Sequence, residues 1–118
     1  MPMFMLLLSD DPSEYAEMSP AELQAVIERY AAWSQGLAQL GKLRDGQKLR
    51  DEGGRVVRSD GGKVVVRDGP YAELKEIVSG YFLIDAADYD EAVAIASSCP
   101  HAQSRGSIMI REIEPTGE

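Results

Sequence analysis

The stretch Met18-Ser19-Pro20-Ala21-Glu22-Leu23 constrains this chain more than any other. Ser19 can cap a helix, Pro20 suits its first turn, and Glu22 three residues on completes a capping box. Met18 and Leu23 stand where a hydrophobic staple would fix the entry angle. Leu23, Val26, Ile27, Tyr30, Trp33, Leu37 and Leu40 then recur at spacings of three and four, and Gly41 stops the run. The spacing predicts a helix over 20–40 with one apolar stripe. Such a stripe needs a surface to cover, and the flanking segments supply strands.

Met3–Leu8 is six continuous apolar residues ending at Ser9-Asp10-Asp11-Pro12, a length that suits a strand buried on both faces. Residues 42–67 carry three glycine-containing turns (Asp45-Gly46, Gly53-Gly54, Asp60-Gly61-Gly62) between short runs. Those runs are Lys48-Leu-Arg, Arg55-Val-Val-Arg and Lys63-Val-Val-Val-Arg67, the pattern of antiparallel hairpins. Asp68-Gly69-Pro70-Tyr71 is a further turn, followed by a polar helical turn from Ala72 to Glu76. Gly80-Tyr-Phe-Leu-Ile84 reads as a strand. Asp88-Tyr-Asp-Glu91 reads as a second capping box, opening a small-residue helix that Pro100 closes. Ser107–Ile113 reads as the last strand and 114–118 as a frayed tail. The order is that of an α+β, ferredoxin-like split βαβ fold with an antiparallel sheet and an inserted β-hairpin. Two helices cover one face of such a sheet, so a homodimer with the sheets face to face is the economical expectation.

The chain has 118 residues, with 12 basic and 20 acidic side chains and a net charge of −8. That length suits a single domain spanning 1–118. The acidic balance argues against nucleic acid as a partner, since phosphate binding needs a basic face. The charge is uneven: residues 42–76 hold nine basic and seven acidic side chains, and the remainder three and thirteen. The basic positions alternate with valines, as on a solvent-facing hairpin, with an anion site as the sharper alternative. The apolar run at the N-terminus has no basic residue before it and is too short for a signal peptide or a membrane span. One cysteine, Cys99, and one histidine, His101, allow no intramolecular disulfide and no zinc cluster. A cytoplasmic setting follows as the expectation.

The segment Val66-Arg67-Asp68-Gly69-Pro70-Tyr71-Ala72-Glu73-Leu74-Lys75-Glu76, followed by Gly80–Ile84, resembles the signature of the YCII-related family. Within it, the segment is similar to the branch named for a DGPF motif, with Tyr71 in the Phe position. Leu40-Gly41-Lys42-Leu43, Glu91-Ala92, Cys99-Pro100, Gly106-Ser107-Ile108 and Arg111 follow the same pattern, so the resemblance covers nearly the whole chain. It implies a dimeric α/β-barrel of ferredoxin-like subunits, often neighbours of extracytoplasmic-function sigma factors. The wider family has a proposed His–Asp pair in a cleft between sheet and first helix. Here the first helix carries no histidine, and Cys99 stands before Pro100 where that pattern has Asp.

Asp68 is the first candidate for chemistry, as a carboxylate general base at a strand end or as turn and cap chemistry before Gly-Pro. Glu73 and Glu76, three apart with Lys75 between them, could serve a ligand or form a solvated charge run. Tyr71 belongs to the same turn. Tyr30 and Trp33 lie on the apolar stripe and read first as core, although a buried phenol needs a partner and could line a pocket. His101 is expected as an exposed loop histidine with ligand binding as the alternative, and Cys99 as a small buried residue. The chain carries no Gly-x-Gly-x-x-Gly after a strand, no P-loop and no metal-ligand spacing, so no cofactor is expected. Two functions remain open: binding or transforming a small molecule, an anion among the candidates, near the Asp68–Tyr71 turn, or a non-enzymatic regulatory module of a sigma-factor system.

Overall fold

A computed structural model describes residues 1–69, 76–103 and 106–116. Six strands and two helices follow in the order β1 (Met3–Asp10), α1 (Pro20–Gln39), β2 (Leu43–Lys48), β3 (Arg55–Asp60), β4 (Lys63–Asp68), β5 (Ile77–Asp85), α2 (Tyr89–Ser97) and β6 (Ser107–Glu112). Strands β2, β5, β1 and β6 lie side by side in that order, every neighbouring pair antiparallel, while β3 and β4 form a separate hairpin. With the hairpin set aside, the connectivity is that of the ferredoxin-like fold.

The capping box of α1 is formed in both directions. Glu22 N–H donates to Ser19 Oγ at 3.2 Å, and Ser19 N–H donates to Glu22 Oε1 at 3.1 Å. Such a cap is worth about 1 kcal/mol. Gly41 ends the helix at φ +73°, a backbone setting that side chains with a Cβ resist. The expected second box is only half a box. Glu91 N–H donates to Asp88 Oδ1, but the Glu91 carboxylate reaches Ala87 N–H and Lys42 Nζ instead of the Asp88 amide.

β1 corrects the expectation of a strand buried on both faces. Phe4, Leu6, Leu8 and Asp10 are buried and alternate with half-buried Met3, Met5, Leu7 and Ser9. Both helices pack on the first face, with Leu37, Ile84, Ala86, Ala92 and Ala96 completing the core. Asp45-Gly46 is also corrected, from a turn to the interior of β2. Gly46 sits opposite Phe82, and a Cβ there would lie 2.5 Å from the Phe82 ring, so this glycine serves close approach rather than chain reversal. Most of the helical turn expected over 72–76 lies outside the described residues; Glu76 is exposed and belongs to no helix or strand.

Candidate functional site

Helix α1 is closed onto the sheet at its C-terminal half only. There Leu37 is buried, and the Trp33 ring meets Phe82 edge-on with centroids 5.0 Å apart. Toward its N-terminus the helix stands off the sheet and leaves a cleft of about 440 Å³. Leu8, Leu23, Val26, Ile27 and Phe82 make the walls apolar, and the end of β2 forms one lip, where Lys48 Nζ pairs with Asp51 at 2.8 Å.

The polar groups of this cleft gather on one wall. Asp10 continues the inward parity of β1, and Tyr15 arrives on a 3₁₀ turn over Pro12–Tyr15, which Asp11 caps by accepting from Ser13 N–H at 3.0 Å. Burial, then a hydrogen bond to the Asp10 carboxylate, raises the Tyr15 pKa. Tyr30, from α1, has its phenol pushed up to about 12, first by burial and then by the nearby Cys99 and Asp10. Ser79 joins the same wall through a bulge. The register of β5 against β1 slips between Leu8 and Ser9, and the Ser79 hydroxyl donates to the Leu8 carbonyl at 3.2 Å.

His101 closes the wall and corrects the expectation of an exposed loop residue, since it is 1% exposed. A 3₁₀ turn over Pro100–Gln103 swings the ring inward beneath α1. Nε2 lies 2.9 Å from the Ser9 carbonyl, and Nδ1 lies 2.8 Å from Tyr30 Oη. A carbonyl only accepts, so Nε2 carries the proton; in the neutral ring Nδ1 is then bare and accepts from the Tyr30 hydroxyl. Gly106 makes the space: a Cβ there would lie 2.4 Å from Nε2. The result is one polar wall along an apolar cleft: the Tyr15 phenol on the Asp10 carboxylate, and the Tyr30 phenol on the His101 ring.

Of the residues marked from sequence, the structure brings Tyr30 and His101 together. Trp33 stays half-buried behind the cleft, its indole N–H donating to Ser98 Oγ at 2.9 Å. Cys99 is fully buried, and burial raises its thiol pKa against the opposing pull of the His101 and Ala102 amides. Asp68 is exposed at the end of β4, pairs with Arg55 at 3.3 Å and is absent from the cleft lining. Glu76 is likewise exposed and absent from that lining. Tyr71, Glu73 and Lys75 lie outside the described residues. Sequence reasoning passed over Asp10, Tyr15 and Ser79. Asp10 was within reach, since alternation along Phe4, Leu6 and Leu8 places it on the buried face.

Among the described residues no group of His, Cys, Asp and Glu is arranged to hold a metal ion, and no helix is long and apolar enough to cross a membrane.

A ferredoxin-like α+β chain with a cleft between its first helix and its sheet is the class these observations define. The sequence model of one family, the YCII-related domain, matches residues 3–116, and the chain belongs to that family. No curated protein matches it.

Proposed function

We propose that the cleft binds a small, largely apolar molecule by a hydroxyl or carbonyl group and moves a proton on it. The observation that carries this reading is the pair of hydrogen bonds holding a buried His101 between Tyr30 and the Ser9 carbonyl. A ligand hydroxyl placed against Tyr30 can give its proton to the Tyr30 oxygen as the phenol proton passes to His101 Nδ1. The imidazolium so formed keeps its Nε2–H on the Ser9 carbonyl. The inner wall offers a carboxylate and two phenols, and the Lys48 cation at the lip is paired. These groups favour a neutral partner over the anion considered from sequence.

The test is untargeted mass spectrometry of molecules released from the purified protein, beside a Val26→Trp variant that fills the cleft. A compound enriched only in the parent protein, whose return shifts the NMR signals of the single histidine, supports the reading. A parent protein that yields nothing beyond the filled variant defeats it.

The working unit we propose is a homodimer joined through the uncovered sheet face. That face presents Met5, Leu7 and Leu83 beside Met109, which is 58% exposed. Sedimentation at twice the 12.9 kDa chain mass supports the pairing, and a monomer at micromolar concentration removes it.

A further inference from the structure

The polar wall of the cleft is one-sided in its hydrogen bonding. Its side-chain protons are already spent on acceptors within the protein. His101 gives Nε2–H to the Ser9 carbonyl, and Tyr30 gives its phenol proton to Nδ1. Ser79 gives its hydroxyl proton to the Leu8 carbonyl at 3.2 Å. Asp10, 6% exposed, offers only lone pairs as a carboxylate, and the Tyr15 phenol is turned to it. What the wall keeps for a ligand is oxygen lone pairs, on Asp10, Tyr15, Tyr30 and Ser79. The other donors that border the cleft stand away from this wall. Lys48, at the lip, is held by Asp51 and by the Leu49 carbonyl, and the Tyr81 hydroxyl donates to Asp45 at 3.1 Å. Gln47 follows the inward Gly46 in β2, so alternation turns its side chain to the opposite face.

Such a wall is complementary to a hydrogen-bond donor. A carbonyl or ether oxygen set against it places lone pair on lone pair and leaves both sides unpaired. An anion adds charge repulsion, since residues 10–28, which supply Asp10, Tyr15 and the first turns of α1, hold six acidic side chains and no basic one. A hydroxyl proton meets an acceptor at once. An ammonium also donates, but it gives up far more hydration on passing the apolar walls of Leu8, Leu23, Val26, Ile27 and Phe82. We propose that the cleft takes an apolar alcohol or phenol, hydroxyl first, and discriminates against the carbonyl compound, ether or acid of the same shape. The inference rests on the cleft being a ligand site, and it narrows the ligand's polar group from hydroxyl or carbonyl to hydroxyl alone. The Tyr30 oxygen is the acceptor that suits the hydroxyl best, because its own proton already lies on the His101 ring.

Matched probes test the discrimination by ligand-observed NMR titration against the full chain. The sets are benzyl alcohol, benzaldehyde and benzyl methyl ether; menthol, menthone and menthyl methyl ether; and borneol, camphor and bornyl methyl ether. At least one alcohol is expected to bind the parent protein and not Val26→Trp, with its carbonyl and ether partners about tenfold weaker, the cost of one acceptor left facing another. Asp10→Asn puts an amide donor on the wall and should narrow that gap several-fold. A carbonyl partner that binds as tightly as its alcohol overturns the proposal and leaves the cleft standing as a ligand site. Benzylamine binding more tightly than benzyl alcohol overturns the hydroxyl assignment in the same way. No binding by any member of the three sets overturns the proposal together with the reading beneath it.

Discussion

Gly106→Ala puts the placement of His101 under direct strain. The added methyl would stand 2.4 Å from Nε2, 2.8 Å from Cε1 and 2.6 Å from the Ser9 carbonyl oxygen, where ordinary contact begins at 3.4 Å. Neither obstacle is the free end of a flexible chain: one is an aromatic ring pinned at both nitrogens, the other is backbone. Something must retreat by about 1 Å, and overpacking of that kind costs about 1–3 kcal/mol. If the ring yields, the Nε2–H bond to Ser9 goes with it, and a buried polar group left unpaired costs about 1–3 kcal/mol more. Loss of glycine freedom in the unfolded chain returns about 0.4–1 kcal/mol. A net destabilisation of about 2–4 kcal/mol follows, or roughly 4 °C in Tm for each kcal/mol. Urea unfolding followed by Trp33 fluorescence measures it, and the single histidine gives one set of imidazole NMR signals to show whether the ring has moved. A variant within about 0.5 kcal/mol of the parent, with those signals unshifted, refutes the geometry of the wall.

Gly36→Ala is the counterpart on the same backbone chemistry: nothing lies within 4 Å of the added methyl on α1, so thermal unfolding should show a gain of about 0.5–1 kcal/mol. Tyr30→Phe removes the donor to His101 Nδ1 and should cost about 1–3 kcal/mol in urea, while Nε2 keeps its proton on Ser9, as nitrogen-15 NMR would show. At high pH the buried phenols hold protons that an unfolded tyrosine releases near 10, so stability present below pH 10 falls as the pH rises toward 12. Tyr30→Phe should flatten that fall by about 1 kcal/mol, the half-buried position being partly screened, in urea midpoints taken across the window. Ser19→Ala opens the α1 capping box and should lower stability by about 1 kcal/mol, with amide exchange speeding first at the Glu22 and Leu23 end.

Local signals and tertiary geometry divided the molecule between them. The bounds of α1 were legible because Ser19, Glu22 and Gly41 act within a few residues of themselves, and the strand order followed from segment types. Gly46 misled because a glycine beside an aspartate serves a turn or a close approach equally well, and the choice rested on Phe82, 36 residues away. Tyr30 was legible as a stripe residue that needs a partner. His101 was not, because its burial depends on the space at Gly106 and on the Ser9 carbonyl, neither visible from the residues beside it. The bulge at Ser79 was equally hidden, since one extra residue in β5 shows only against the register of β1.

The wall of the cleft also joins distant parts of the chain. His101 is bound to Tyr30 across 71 residues and to Ser9 across 92. Contacts so widely separated in sequence carry a large loop-closure cost and slow the folding of a chain that depends on them. During synthesis, Asp10, Tyr15 and Tyr30 are made early and wait for a histidine that follows most of the chain. A product cut short before residue 101 lacks the ring that joins Tyr30 to the Ser9 carbonyl. The hydrogen-bonded wall around His101 therefore forms only in chains that extend past residue 101.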